Sequence, residues 1–286
     1  MAETAATQLL KTRHERRQEA TWHRVDWRKV ALLLASLPFL LFLLLPLLAL
    51  VLRATPADIL AHLVDPSVAQ AIQLSLVTTL CTLGLTVIGG TPLAYLLARG
   101  TFPGRTILDA LLDLPIVMPP AVAGIALLVA FGRFGLLGHW LNALGIDIAF
   151  TPVAVVMAQT FVAAPFYIKA ASTAFANVNH DIEDAAAVDG AGPFGVFGRI
   201  TLPLSIAALM GGALMTWARA LGEFGATIIF AGNFPGRTQT MPLAIYLGFE
   251  LDLSAAITLA IVLLVMSFAI LLLVRWALRQ RIQTDQ

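Results

Sequence analysis

The sequence predicts an all-α protein, a polytopic membrane bundle of six transmembrane helices. Three observations predict it. Of 286 residues, 59% are hydrophobic and only 12% are charged, too little charge to cover the surface of a soluble domain of this size. Mean hydropathy is +0.86, and the apolar residues gather into runs long enough to cross a hydrocarbon layer, which takes roughly 20 helical residues for about 30 Å. The basic residues between those runs are distributed unevenly, as they are around membrane helices.

The first thirty residues carry charges of both signs, Glu3, Glu15, Glu19 and Asp26 among seven basic residues. They are too acidic for a signal-peptide n-region, and the run at 31–52 is longer than an h-region. Residues 1–30 therefore read as a solvated cytoplasmic tail, with a helix on the membrane surface over 8–30 as the alternative. Residues 31–52 read as an extra N-terminal membrane helix. Further spans are expected at 71–98, 107–131, 151–175, 204–231 and 254–276. The core domain is then 71–276, and 277–286 forms a C-terminal cytoplasmic tail. Pro38, Pro46, Pro92, Pro115, Pro119, Pro120 and Pro165 fall inside apolar runs, where neighbours or water must satisfy the freed carbonyls. The run from Leu114 to Ala121, with Pro115, Pro119 and Pro120, is expected to bend or break its helix. The glycine-rich stretch 132–150 around Trp140 suits a short interfacial helix.

Orientation follows from the short loops. Lys11, Arg13, Arg16, Arg17, Arg24, Arg28, Lys29, Arg99, Arg105, Arg199, Arg275, Arg279 and Arg281 lie on one side, and Arg53, Arg133 and Arg237 on the other. That excess puts both termini and the segment 177–203 in the cytoplasm, making the chain a multi-pass protein of the cytoplasmic membrane in contact with lipid.

Most chemistries are excluded. Cys81 is the only cysteine and reads as a small core residue in an apolar run, with no disulfide framework. The five histidines show no ligand spacing, so no metal site is expected. No basic patch interleaved with aromatics points to nucleic acid. No nucleophile–base arrangement stands out, so catalytic residues are not expected. None of the three lysines follows a glycine, so the chain lacks the phosphate-binding Gly-Lys-Ser/Thr ending and is not its own P-loop ATPase. Cofactors are expected to be absent from this chain.

Two segments carry pattern beyond hydrophobicity. In the interruption 177–203, Asp181, Glu183 and Asp184 precede three alanines and suit a helix N-terminus. Asn179 is placed to cap that helix, and Gly190 and Gly192-Pro193 to end it. The expected result is a helix of about two turns on the cytoplasmic surface, with an apolar face suited to docking. In the fifth span, Arg219 and Glu223 stand four apart on one helix face. Each alone costs about 2.5–3.5 kcal/mol at mid-membrane, so mutual neutralisation or water access is expected. Arg219 and Glu223 read either as a structural ion pair at a tight helix contact or, with Thr227, Pro119 and Pro120, as lining a translocation pathway in which Arg219 attracts an anion. Ala218, Gly222 and Ala226 form a small-residue ridge along the same helix.

The interruption resembles the EAA loop of permease subunits of ATP-binding-cassette importers. Asp184-Ala185-Ala186, Gly190, Ile200 and Leu202-Pro203 keep every spacing of that loop, with Asp184 at the glutamate position and Glu183 directly before it. The resemblance implies a type I importer fold and a coupling helix that docks a separate ATPase, with Glu183, Asp184, Ala185, Ala186, Gly190, Ile200, Leu202 and Pro203 as its docking residues. The runs from Arg219 to Tyr246 and from Asp113 to Gly124 are similar to molybdate permeases, which places molybdate or tungstate as cargo. Sulfate or thiosulfate permeases are the nearest alternative. A stand-alone secondary carrier or channel, for which Thr86-Val87-Ile88-Gly89-Gly90 faintly resembles a potassium filter, is the more distant one. The resemblance further implies a permease homodimer, two cytoplasmic ATPase subunits that carry ATP and magnesium, and an extracytoplasmic oxyanion-binding protein.

Overall fold

The computed structural model describes residues 27–284, and every regular element among them is helical. Two compact units divide the chain. The first contributes one described helix, α1 (Trp27–Arg53), apolar and unbroken through Pro38 and Pro46. It starts inside the stretch assigned to the N-terminal tail; the rest of that tail and its surface-helix alternative lie outside the described residues.

The second unit holds the remaining elements. They are α2 (Pro56–Leu63), α3 (Pro66–Arg99), α4 (Arg105–Val117), α5 (Pro120–Phe131), α6 (Gly138–Ala143) and α7 (Pro152–Ala176). There follow α8 (His180–Val188), α9 (Pro193–Val196), a π-helical turn (Phe197–Thr201), α10 (Leu202–Leu221), α11 (Gly225–Phe230), α12 (Met241–Leu251) and α13 (Leu253–Thr284).

Several starts are written locally. Thr55, Asp65 and Thr151 each accept a backbone N–H in the first turn of α2, α3 and α7, and each is followed by a proline at the first helical position. The cap oxygen satisfies an orphan donor, and proline removes another.

The centre of the unit is the mutual packing of α3, α7 and α10. Small residues bring these helices close: Ala94, Ala154, Ala158, Ala163 and Ala171 are fully buried. A Cβ at Gly212 would come within 2.7 Å of the Ala170 methyl, and one at Gly90 within 3.1 Å of Tyr167 and Ile168. Buried polar groups then join the helices. The Thr91 and Tyr167 hydroxyls lie 2.6 Å apart, Trp217 Nε1 donates to Thr79 Oγ1 at 3.0 Å, and Thr82 Oγ1 donates to Gln159 Oε1 at 3.1 Å. Such packing and hydrogen bonding hold helices together where lipid supplies no hydrophobic drive.

Five helices among the described residues are long and apolar enough to cross a membrane, and a bent pair brings the number to six. The expected six spans are present in number, but two differ in kind. The span at 107–131 is α4 and α5, which meet at 117°, because Pro119 and Pro120 offer no N–H to continue the ladder. The span at 204–231 is also broken: α10 ends at Leu221, and α11 starts only at Gly225. The small-residue ridge Ala218–Gly222–Ala226 is therefore not a continuous ridge. Cys81 is exposed on α3 rather than in the core. Thr86–Gly90 lies within uninterrupted α3 helix, which leaves no extended backbone for a filter. The expected C-terminal tail is helical as far as Thr284. The stretch 132–150 holds one short helix, α6, where one was expected.

Candidate functional site: two joined helix breaks and a clamped surface helix

The break between α10 and α11 is set by glycine at both ends. Gly222 closes α10, its N–H donating to Ala218 O at 3.3 Å, and Gly225 opens α11. Between them stands Glu223, 1% exposed, whose Oε1 accepts the Ala226 N–H at 2.8 Å. The carboxylate satisfies one orphan donor of α11 and lies at its positive end. Its other oxygen, Oε2, is 2.8 Å from Arg219 Nη1, a close charge contact rather than an aligned hydrogen bond. Glu223 thus joins the last turn of α10 to the first of α11, instead of sharing a helix face with Arg219.

The second break comes alongside. A Cβ on Gly225 would sit 2.8 Å from Pro120 Cβ, and one on Gly124 would sit 2.8 Å from Ala226 O and 2.9 Å from Ile229 Cβ. Contacts this short leave room only for glycine, so α5 and α11 pack through bare backbone. Of the five residues read as pathway, Pro119 and Pro120 are exposed and Arg219 is half-buried. Glu223 and Thr227 are fully covered. Arg219 and the two prolines are thus accessible, while Glu223 and Thr227 are not.

At the end of the bundle that holds Arg99, the segment 177–203 folds as expected into a short helix. Asn179 Oδ1 accepts the Asp181 N–H at 3.0 Å to start α8, and Gly190 at φ +90° turns the chain after it, a conformation that favours glycine. Pro193 starts another short helix rather than simply ending α8. The two acidic residues of the motif face opposite ways. Asp184 and Ala185 are exposed and Ala186 is half-buried. Glu183 is turned inward, 2.8 Å from Arg99 Nη2, each side chain 11% exposed, and it accepts Thr201 Oγ1–H at 2.5 Å. Glu183 is therefore not on the face open to a partner. Ile200, Leu202 and Pro203 lie beyond α8, on the π turn and the first turn of α10, with Leu202 packed on the cluster around Leu97, Phe175 and Tyr167. The open face of α8 and α9 instead carries Asp181, Ile182, Asp184, Val188 and Phe194, the last two 88% and 93% exposed.

One charged cluster escaped sequence reasoning. Lys169 Nζ on α7 lies 2.7 Å from Asp109 Oδ1 and 3.0 Å from Asp113 Oδ2 on α4. It borders a cavity of about 550 Å³ that also meets Arg105, Ser172 and Asn177. The available signal was Asp109 and Asp113 four apart on one helix with a lone intramembrane lysine elsewhere, since such charges rarely stand unpaired.

Comparison with known proteins places this architecture. Residues 90–282 match the family model described as the inner membrane component of binding-protein-dependent transport systems. The molybdenum transport system permease protein ModB of Mycobacterium tuberculosis is 42% identical over 241 residues, covering 84% of this chain and 90% of the relative. A probable sulfate transport system permease protein, cysT of Nephroselmis olivacea, is 34% identical over 212 residues, covering 74% and 75%. Among solved structures, a bacterial ABC transporter involved in import of the acidic polysaccharide alginate superposes with a TM-score of 0.72 at 18% identity, over 89% of this chain and 96% of the other. The fold is that of these membrane subunits, and the chain belongs to the family of inner membrane components of binding-protein-dependent transport systems.

Proposed function

We propose that the chain is the translocating subunit of an ATP-driven importer that brings molybdate, or the chemically similar tungstate, into the cytoplasm. The observation that carries the cargo is the 42% identity to a molybdenum permease over most of both chains. Geometry supports the mechanism. The open face of α8 presents acidic Asp181 and Asp184 beside apolar Ile182 and Val188, suited to a groove with an apolar floor and a basic rim on a separate ATPase. ATP and magnesium belong to that partner. Arg219 stands at a surface where two helices are broken, which suits a passing dianion, while Glu223 limits the net charge there.

A homodimer of this subunit, two ATPases and an extracytoplasmic oxyanion-binding protein complete the assembly, with both termini and α8 in the cytoplasm. Movement of α8 with the closing ATPases would rock the packed helices between two states. Nothing in this scheme requires chemistry by the chain itself.

The test is reconstitution in proteoliposomes with a partner ATPase and an oxyanion-binding protein, followed by uptake of labelled molybdate, tungstate and sulfate. ATP-dependent molybdate uptake is expected, with sulfate a poor competitor. The sulfate reading, favoured by the cysT relative, takes over if sulfate is preferred. Uptake that persists without ATPase subunits and follows an ion gradient would establish a secondary carrier instead.

A further inference from the structure

We infer that Glu183, Arg99 and Thr201 form a latch that fixes the surface helix to two membrane helices, and that this latch, rather than the docking face, passes motion inward. The inference rests on the docking reading above and assigns these three side chains a positioning role within it.

One carboxylate gathers three elements. Arg99 is the last residue of α3, Glu183 lies in α8, and Thr201 closes the π turn that leads into α10. Arg99 Nη2 contacts Glu183 Oε2 at 2.8 Å and donates to Val178 O at 3.0 Å, while its Nη1 lies 2.6 Å from His180 Nε2. The guanidinium therefore grips both the carbonyl preceding α8 and the first turn of the helix. Thr201, fully buried, donates its hydroxyl to the other carboxylate oxygen of Glu183. Both oxygens are used, and the pair is largely withdrawn from water. Planar, charge-assisted contacts of this kind fix orientation as well as position.

The π turn explains how Thr201 reaches Glu183. Pro203 cannot donate to the carbonyl four residues back, and its ring would collide with that carbonyl. The chain widens instead, and the Leu202 N–H bonds five residues back to Phe197 O. The widened turn lies immediately before α10, whose far end carries Arg219. A displacement of α8 thus reaches the cytoplasmic ends of α3 and α10 through directed bonds. Val188, Asp184 and Ile182 on the open face remain free for the partner.

The test compares Glu183→Gln, Arg99→Gln, their double variant and Thr201→Val with Asp184→Asn, in the permease–ATPase complex and in the permease alone. Three quantities are read: ATPase retained on purification, molybdate imported per ATP hydrolysed in proteoliposomes, and hydrogen–deuterium exchange of α8 amides in the isolated permease. Glu183→Gln is expected to retain ATPase normally, to lower import per ATP at least about tenfold, and to speed α8 exchange at least about tenfold, as loss of a charged hydrogen bond predicts. Arg99→Gln should match it, and the double variant should be no worse than either single, since residues acting as one unit are not additive. Thr201→Val keeps the ion pair and is expected to shift both readings less, in the same direction, so the latch stays testable if the charge variants fail to fold. Asp184→Asn should lose ATPase while its α8 exchange is unchanged. The latch is overturned if Glu183→Gln leaves α8 exchange unaltered, or if it loses ATPase while import per ATP in the remaining complexes is normal. If the wild-type permease retains no ATPase, the docking reading fails, and exchange in the isolated permease still decides the latch.

Discussion

Replacing Arg219 by alanine separates the structural from the transport role of the junction. Glu223 is 1% exposed and keeps only the Ala226 N–H once Arg219 is gone. Breaking a buried pair by removing one partner costs about 3–5 kcal/mol, while a hydrogen bond to a charged group contributes about 1.5–3 kcal/mol. Arg219 is 29% exposed, so solvent already screens one member and the lower range applies. A loss of about 2 kcal/mol is expected, roughly a thirtyfold change in the folding equilibrium. By the scaling for chains of this size, that lowers the melting temperature in detergent by roughly 4–8 °C. The second variant, Arg219→Ala with Glu223→Gln, keeps an acceptor for the Ala226 N–H but removes the stranded charge. It should recover most of the lost stability. Molybdate uptake should remain absent in both if Arg219 is the cation that meets the anion, as proposed. A double variant no more stable than the single would refute the coupling, and restored uptake in it would remove Arg219 from the pathway.

Other expectations follow from particular contacts. Gly190→Val meets no neighbour but must hold φ +90°, so about 1–2 kcal/mol of strain is expected; α8 should dock poorly, read as reduced ATPase recovery on purification. Gly124→Ala pushes a methyl toward Ala226 O and Ile229 and should cost about 1–3 kcal/mol, seen as a lower melting temperature and slower uptake, whereas Gly84→Ala, with open space around it, should change neither. The Asp65 carboxyl is held below its ordinary value of 3.8, first by the Ser67 N–H and then by the Ser67 hydroxyl. A carboxyl lowered on folding stabilises above its unfolded value, and that contribution fades as pH falls through the folded one. Thermal melts should therefore show an acid-side loss below about pH 4 that Asp65→Asn removes.

Periodicity and proline positions made most of the bundle legible. The run at 71–98 falls inside α3 and that at 151–175 matches α7 to within a residue, because the boundaries are set by caps and charges next in sequence. The 117° bend was visible in Pro119-Pro120 because neither proline has an N–H to continue the ladder. The break at Gly222–Phe224 was hidden because glycine and one acidic residue are tolerated inside a packed membrane helix, and the Glu223–Ala226 bond that caps α11 there is not written in the apolar pattern. Asn179 and Gly190 declared their roles through backbone chemistry. The opposite facing of Glu183 and Asp184 did not, since it depends on Arg99 at a distance of eighty-four residues in sequence. The pairing of Lys169 with Asp109 and Asp113 was hidden likewise, because partners across helices leave no local pattern.

The helix starts at Pro56, Pro66 and Pro152 have a consequence for assembly. A cap and a proline set each boundary without any tertiary partner, so the starts of these helices are defined by local sequence alone. The junction of α5 and α11 has no such independence. Glu223 needs Arg219, and Gly124 needs the bare backbone of Ala226, before the two broken helices fit together. The shape of this junction thus depends on contacts between helices rather than on the sequence next to each break. A subunit damaged there is expected to stay inserted and helical, its defect showing in a lowered melting temperature and in transport rather than in helix content.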